Sequence, residues 1–117
     1  MNNTIKLVQD WAKERGIDKA DPSKQLLKLG EEYGELIADF IKGYNESMRL
    51  EIGDMLVVLT IFCQQMGVDL EECFNDAYEK IKRRQGKNVN GVFVKDECVG
   101  VSFVKDEYVS DGNQWQR

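Results

Sequence analysis

The segment LGEEYGELIADF, Leu29 to Phe40, sets Glu31, Glu32 and Glu35 within five residues. A second acidic pair, Glu51 and Asp54, follows in LEIGDML. Like charges three or four apart on a helix repel by roughly 0.2–0.5 kcal/mol per pair. Such a cluster therefore needs either open solvent or a counter-charge. Carboxylates gathered without histidine form a hard, all-oxygen donor set, which suits Mg²⁺ or Mn²⁺. A divalent ion would turn their mutual repulsion into shared coordination.

Position on the helices decides between these readings. At about 100° per residue, Glu31, Glu32 and Glu35 fall within one 100° arc. Leu26, Leu29, Tyr33, Leu36, Ile37 and Phe40 lie on the other side. Taken alone, that pattern describes a solvated acidic face, softened by Lys24, Lys28 and Lys42. Glu51 and Asp54 differ. Their stripe continues into Met55, Val58, Ile61 and Phe62, so they head an apolar seam that must pack against something. Unpaired carboxylates in such a seam are costly to bury. Their place near a helix start also favours the macrodipole. That accounts for their sign but not for their alignment with the seam.

The elements that position these groups are legible from stop and start signals. Ile5, Val8, Trp11 and Ala12 space out an amphipathic helix over Thr4 to Arg15, ended by Gly16. Asp21 caps a second helix, with Pro22 at its first position, running to about Lys42 before Gly43. A third starts at Asn45 or Ser47 and ends at Met66. Apolar almost all round from Met55, it is the buried one. The fourth carries a capping box, Asp69 and Glu72, with Val68 and Cys73 at the staple positions, and runs to about Gln85 before Gly86. An antiparallel pair formed by helices two and three through GYNES would bring the two acidic sets to similar height.

Beyond Gly86 the pattern changes. VFVKDECV and VSFVKDEYV nearly repeat at an offset of ten residues, and their β-branched and aromatic content predicts two short strands, a hairpin or an extended arm. The expected division is a helical domain over 1–90 and a C-terminal strand or tail segment over 91–117. The fold class is all-α, a four-helix bundle with a short C-terminal β-hairpin or arm.

Composition narrows the chemistry. At 117 residues one compact domain is expected. With no histidine in the chain, Ser-His-Asp and Cys-His catalysis and His-ligated zinc are excluded. A di-iron bundle, which wants Glu-x-x-His, is set aside for the same reason. The net charge of −5 argues against broad binding to nucleic acid or anionic membrane. Cys63, Cys73 and Cys98, odd in number and without a CxxC pair, read as reduced thiols of a cytoplasmic protein. The longest apolar run, MLVVLTIFC, is too short to span a membrane.

GEEYGEL and EIGD, with fifteen residues between Glu35 and Glu51, together resemble the EExxE…ExxD signature of the MazG-like all-α nucleoside triphosphate pyrophosphohydrolases. WAKERG, DPSKQLLKLGEEYGEL and AYEKIKRRQGK add to the resemblance, which covers roughly residues 5 to 90. Either half of the motif alone is weak; the two at this spacing are fairly specific. The resemblance implies a Mg²⁺-dependent cut between the α- and β-phosphates of nucleoside triphosphates, deoxynucleotides foremost, releasing a nucleoside monophosphate and pyrophosphate. It implies a homodimer or homotetramer.

Carried onto this chain, Glu32, Glu35, Glu51 and Asp54 would be metal ligands, and Glu31 a ligand or the water-activating base. Lys80, Arg83 and Arg84, with Lys87 beyond them, would face the phosphates, Lys80 offsetting charge on the leaving group. The alternative for KIKRRQGK is a basic helix end that complements the macrodipole. Gln85 departs from the more asparagine-like residue of the family, which bears on phosphate or sugar contact. Trp11, Tyr33 and Tyr44 are candidates for a wall against the base, the first two equally plausible as core residues. The alternative function is a non-catalytic helical module that binds nucleotide or protein.

Overall fold

The structure, a computed structural model, describes residues 2–43 and 45–96. Four helices and one two-stranded sheet follow in order: α1 (Asn2–Glu14), a 3-10 turn (Ile17–Lys19), α2 (Pro22–Lys42), α3 (Asn45–Met66), α4 (Leu70–Ile81), β1 (Gly86–Val89) and β2 (Val92–Lys95). The chain is all-α with a small C-terminal hairpin, as its patterning implied. It divides into two compact units after Asp76, within α4.

In the first unit the dominant packing is α2 against α3. Asp21 opens α2 by accepting a hydrogen bond from the Ser23 N–H at 3.0 Å, and Pro22 occupies the first turn. That bond holds the Asp21 carboxyl below its usual range. Gly43 closes α2 at φ 78°, its N–H reaching back to the carbonyls of Asp39 and Phe40. An L side chain there would be strained, which explains glycine at the point where α2 gives way to α3.

The α2 residues withdrawn from solvent are Pro22, Gln25, Leu29, Glu32, Leu36 and Asp39. They alternate three and four apart, the spacing of a helix seam. On α3, Met48, Glu51, Met55, Val58, Phe62 and Gln65 repeat the same spacing, and none is exposed. Glu32 and Glu51 thus occupy seam positions where apolar side chains would be usual.

The seam corrects the expectation that the apolar residues of α2 face inward while its glutamates face water. Glu32 is 7% exposed, whereas Phe40 is 72% and Tyr33 55% exposed. The contact with α3 follows the three-four repeat through Leu29, Glu32 and Leu36, so the apolar stripe beside it turns outward. Ile41, Leu50 and Ile52 are exposed too.

The core lies toward the C-terminal half of α3, where α1 joins. Val58, Thr60, Ile61 and Cys63 are buried, as are Ile5 and Ala12 of α1. Two side chains of α3 tie this layer together: Gln64 Nε2 donates to the Gln9 carbonyl at 3.1 Å, and Gln65 Nε2 to the Ile17 carbonyl at 2.9 Å.

In the second unit, α4 ends at Ile81, four residues earlier than expected, and Gly86 begins a strand rather than stopping a helix. The reason is local. Gly86 pairs with Lys95, and a Cβ there would collide with the Val94 carbonyl. Asn90 and Gly91, both at positive φ, form the two-residue turn, the Asn-Gly signal of a tight hairpin. The hairpin therefore joins residues 86–89 to the first VFVK. The second copy lies outside the described residues.

Substituting Gly43→Ala places a Cβ on a left-handed residue at the end of α2. The expected outcome is a loss of about 1–2 kcal/mol in unfolding free energy by urea titration; an unchanged midpoint would contradict this account of the α2–α3 junction.

Candidate functional site

Glu35 precedes Gly43 by eight residues and Glu51 follows it by eight. An antiparallel pair with its break there therefore sets these two side chains at the same height. Glu32, one turn before Glu35, completes the set. One carboxylate oxygen from each of Glu32, Glu35 and Glu51 lies within 4.8 Å of the other two. Three of the five carboxylates that the sequence pattern grouped are thus brought together, two from α2 and one from α3.

Their environments differ. Glu32 is buried, Glu51 half-buried and Glu35 exposed. Lys28 Nζ stands 3.4 Å from Glu32 Oε2, one turn back on α2. Glu32 Oε1 and Glu51 Oε1 are enclosed without a hydrogen-bond partner. Hydrogen bonding with the Glu32 carboxyl, then burial, then Glu35 push the Glu51 carboxyl up to about 7. Lys28 pairs with Glu32, and the crowding of the other carboxylates favours the protonated form of Glu51 below about pH 7.

The donor set fits a divalent cation. Oxygens at 2.1 Å from one octahedral ion stand about 3–4 Å apart, so small side-chain rotations bring these three into range. Apart from a proton shared between the two carboxyls, Glu32 Oε1 and Glu51 Oε1 have no donor among the described residues, and a cation displacing that proton would satisfy both. The Coulomb term favours an ion as well: two unit charges 4 Å apart interact by about 4 kcal/mol at an effective dielectric of 20.

The remaining sequence candidates fall outside this cluster. Glu31 and Asp54 are exposed, and neither contributes an oxygen to the three-carboxylate group. Lys80, Arg83 and Arg84 belong to the second unit. Arg83 Nη2 is 3.6 Å from Glu79 Oε1, a carboxylate that also binds Lys82 at 2.9 Å. Trp11 is not a core residue; it is 47% exposed, with the Arg15 guanidinium 4.4 Å above its ring. Tyr33 is likewise exposed, and Tyr44 lies outside the described residues. Gln9, hydrogen-bonded to Gln64, anchors α1 thirteen residues beyond Glu51, about 20 Å along the α3 axis at 1.5 Å per residue. Sequence reading grouped Lys28 with the general softening charges and missed its specific pairing with Glu32; the i, i+4 spacing was the available signal.

The model of the MazG nucleotide pyrophosphohydrolase domain matches residues 21–89, more than half of the chain. The chain belongs to the MazG family. The match begins at the Asp21 cap and takes in α2, α3 and α4, hence every member of the acidic cluster. An uncharacterised 18.2 kDa protein from the rep–hol intergenic region of Haemophilus phage HP1 is 34% identical over 70 residues. That alignment covers 59% of this chain and 43% of the phage protein, so the chain spans less than half of that relative. No solved structure matches significantly. The matched family is that of the MazG nucleotide pyrophosphohydrolase domain, and the carboxylate cluster is a group that could hold a metal ion. Among the described residues no single helix is long and apolar enough to cross a membrane.

The raised Glu51 carboxyl carries a pH signature. The folded chain holds a proton that the unfolded chain releases near 4.5, so between about 4.5 and 7 the folded state binds more protons. Stability from this group is therefore lost as pH rises through 7. Metal-free protein is expected to melt at higher temperature at pH 5.5 than at pH 8, with Glu51→Gln reducing the difference. An equal pH dependence in wild type and Glu51→Gln would refute the assignment.

Proposed function

We propose that this MazG-family chain hydrolyses nucleoside triphosphates, deoxynucleotides foremost, between the α- and β-phosphates, yielding a nucleoside monophosphate and pyrophosphate. The observation that carries the reading is the convergence of three carboxylate oxygens within 4.8 Å, two of the three residues bearing an enclosed oxygen with no partner.

In this reading Glu32, Glu35 and Glu51 hold Mg²⁺, or Mn²⁺ in its place, and Asp54, one turn beyond Glu51, is the fourth ligand. When bound, the cation neutralises phosphate oxygens and acidifies a coordinated water. Glu31, beside the cluster on α2, is a further ligand or accepts the proton of the attacking water. The new P–O bond forms at the α-phosphorus as its bond to the bridging oxygen breaks, and pyrophosphate departs. Lys80, Arg83 and Arg84 supply charge-assisted hydrogen bonds to the phosphates, Lys80 on the leaving side. For Arg83 this requires exchanging Glu79 for phosphate. Trp11 stacks on the base, with Arg15 fixing its ring. The helical segment 1–90 carries the reaction and 91–117 is an appendage. The assembly is a homodimer or homotetramer, in the cytoplasm.

Self-association is supported by the apolar face. Leu27, Phe40, Ile41 and Leu50 are each 69–77% exposed in the single chain. Large apolar side chains left this exposed are common sites of association. Light scattering is expected to return at least twice the chain mass, falling after Phe40→Asp with Ile41→Asp; a wild-type monomer would contradict the assembly.

Incubation with a panel of ribo- and deoxynucleoside triphosphates tests the reaction. Equimolar monophosphate and pyrophosphate are expected, dependent on Mg²⁺. Glu35→Gln should lower turnover at least about 100-fold, the size attached to losing a positioned acid–base or ligand-orienting group. Orthophosphate as the sole product would overturn the reaction, and binding without turnover would favour a non-catalytic module.

A further inference from the structure

The junction between α3 and α4 holds two cysteines that the reaction does not use. Cys63 lies in the last turn of α3 and is buried, while Cys73 lies in the first turns of α4 and is exposed. Backbone geometry brings them to one corner. The Val68 N–H donates to the Cys63 carbonyl at 2.9 Å and the Gly67 N–H to the Gln64 carbonyl at 3.2 Å, with Gly67 at φ 75°. That is the glycine-ended helix terminus in which the residue two beyond the cap, here Val68, packs back on Cys63. Asp69 then caps α4, its carboxylate accepting from the Glu72 N–H at 3.0 Å. In that capping arrangement the preceding residue, again Val68, packs on the fourth residue of the new helix, which is Cys73. The two cysteines thus occupy the positions that these two termini direct toward Val68, and Cys73 neighbours the Cys63 thiol closely enough to perturb it. Burial first, and the Cys73 thiol next, push the Cys63 thiol up. Cys73 opens onto a hollow of about 550 Å³ lined by Gly67, Val68, Asp69, Glu72 and Asp76, which gives solutes access to its sulfur.

We propose that Cys63 and Cys73 form a redox modification site, in which a hydroperoxide converts the pair to a reversible intramolecular disulfide clamping the end of α3 to the start of α4. The Cys73 thiolate attacks the peroxide; the O–O bond breaks, giving Cys73 sulfenic acid and releasing water or an alcohol. The Cys63 sulfur then attacks the sulfenyl sulfur, the S–S bond forms and the hydroxyl leaves as water. Two thiols are oxidised by two electrons and one peroxide is reduced. Exposure assigns Cys73 the first step, and burial assigns Cys63 the resolving one. A small dithiol reverses the bond.

Hydrogen peroxide treatment of the full chain, quenched by alkylation and followed by peptide mass mapping, tests this. The expected product has lost two hydrogens, carries a Cys63–Cys73 linked peptide, and returns to the dithiol with dithiothreitol. Cys73→Ala should slow oxidation of Cys63 at least about tenfold. Cys63→Ala should leave a Cys73 sulfenic acid trapped by a cyclic 1,3-dione. A dominant link through Cys98, an interchain disulfide, Cys63 oxidation unchanged by Cys73→Ala, or intact thiols while free glutathione is consumed would each overturn the proposal. The wild-type map decides the linkage even where a variant folds poorly.

Discussion

Three carboxylates held within 4.8 Å of one another are the constraint around which this protein is built. Two of them occupy seam positions between α2 and α3, where a leucine would add stability without electrostatic cost. The chain instead places Glu32 in a buried site, gives it one lysine, and leaves one oxygen on each of Glu32 and Glu51 without a partner. Such an arrangement persists only when the surrounding packing over-determines it. Here that packing comes from both ends. Gly43 closes the α2–α3 turn, and at the far end Gln64 and Gln65 fasten α1 and the 3-10 turn onto α3.

Much of this was legible in the sequence because it rests on local signals. The Asp21-Pro22 start, the Gly43 stop and the Asp69 cap each involve a residue whose backbone preference is strong on its own. The acidic convergence was legible for a second reason: equal spacing from the turn fixes equal height in an antiparallel pair, whatever the side chains.

Other features depended on information that one helix cannot carry. The burial of Glu32 and the exposure of Phe40 and Tyr33 follow from which of two adjacent stripes α3 contacts. Hydropathy favoured the apolar stripe; the three-four repeat through Leu29 and Leu36 chose the other. Trp11 illustrates the same limit, since its size suggests a core residue while its neighbour across the ring is Arg15. At the hairpin, the Asn90-Gly91 turn is the shorter-range signal, and it closes a smaller loop than any pairing with the repeat would.

The family match and the geometry of the acidic cluster both support the central proposal, that the three glutamates would hold a divalent cation. Anomalous diffraction from crystals grown with Mn²⁺ measures this directly. The account predicts a single strong peak within about 2.0–2.3 Å of an oxygen from each of Glu32, Glu35 and Glu51. Saturating Mn²⁺ with no peak at that position, and the three carboxylates turned apart into solvent, would contradict it.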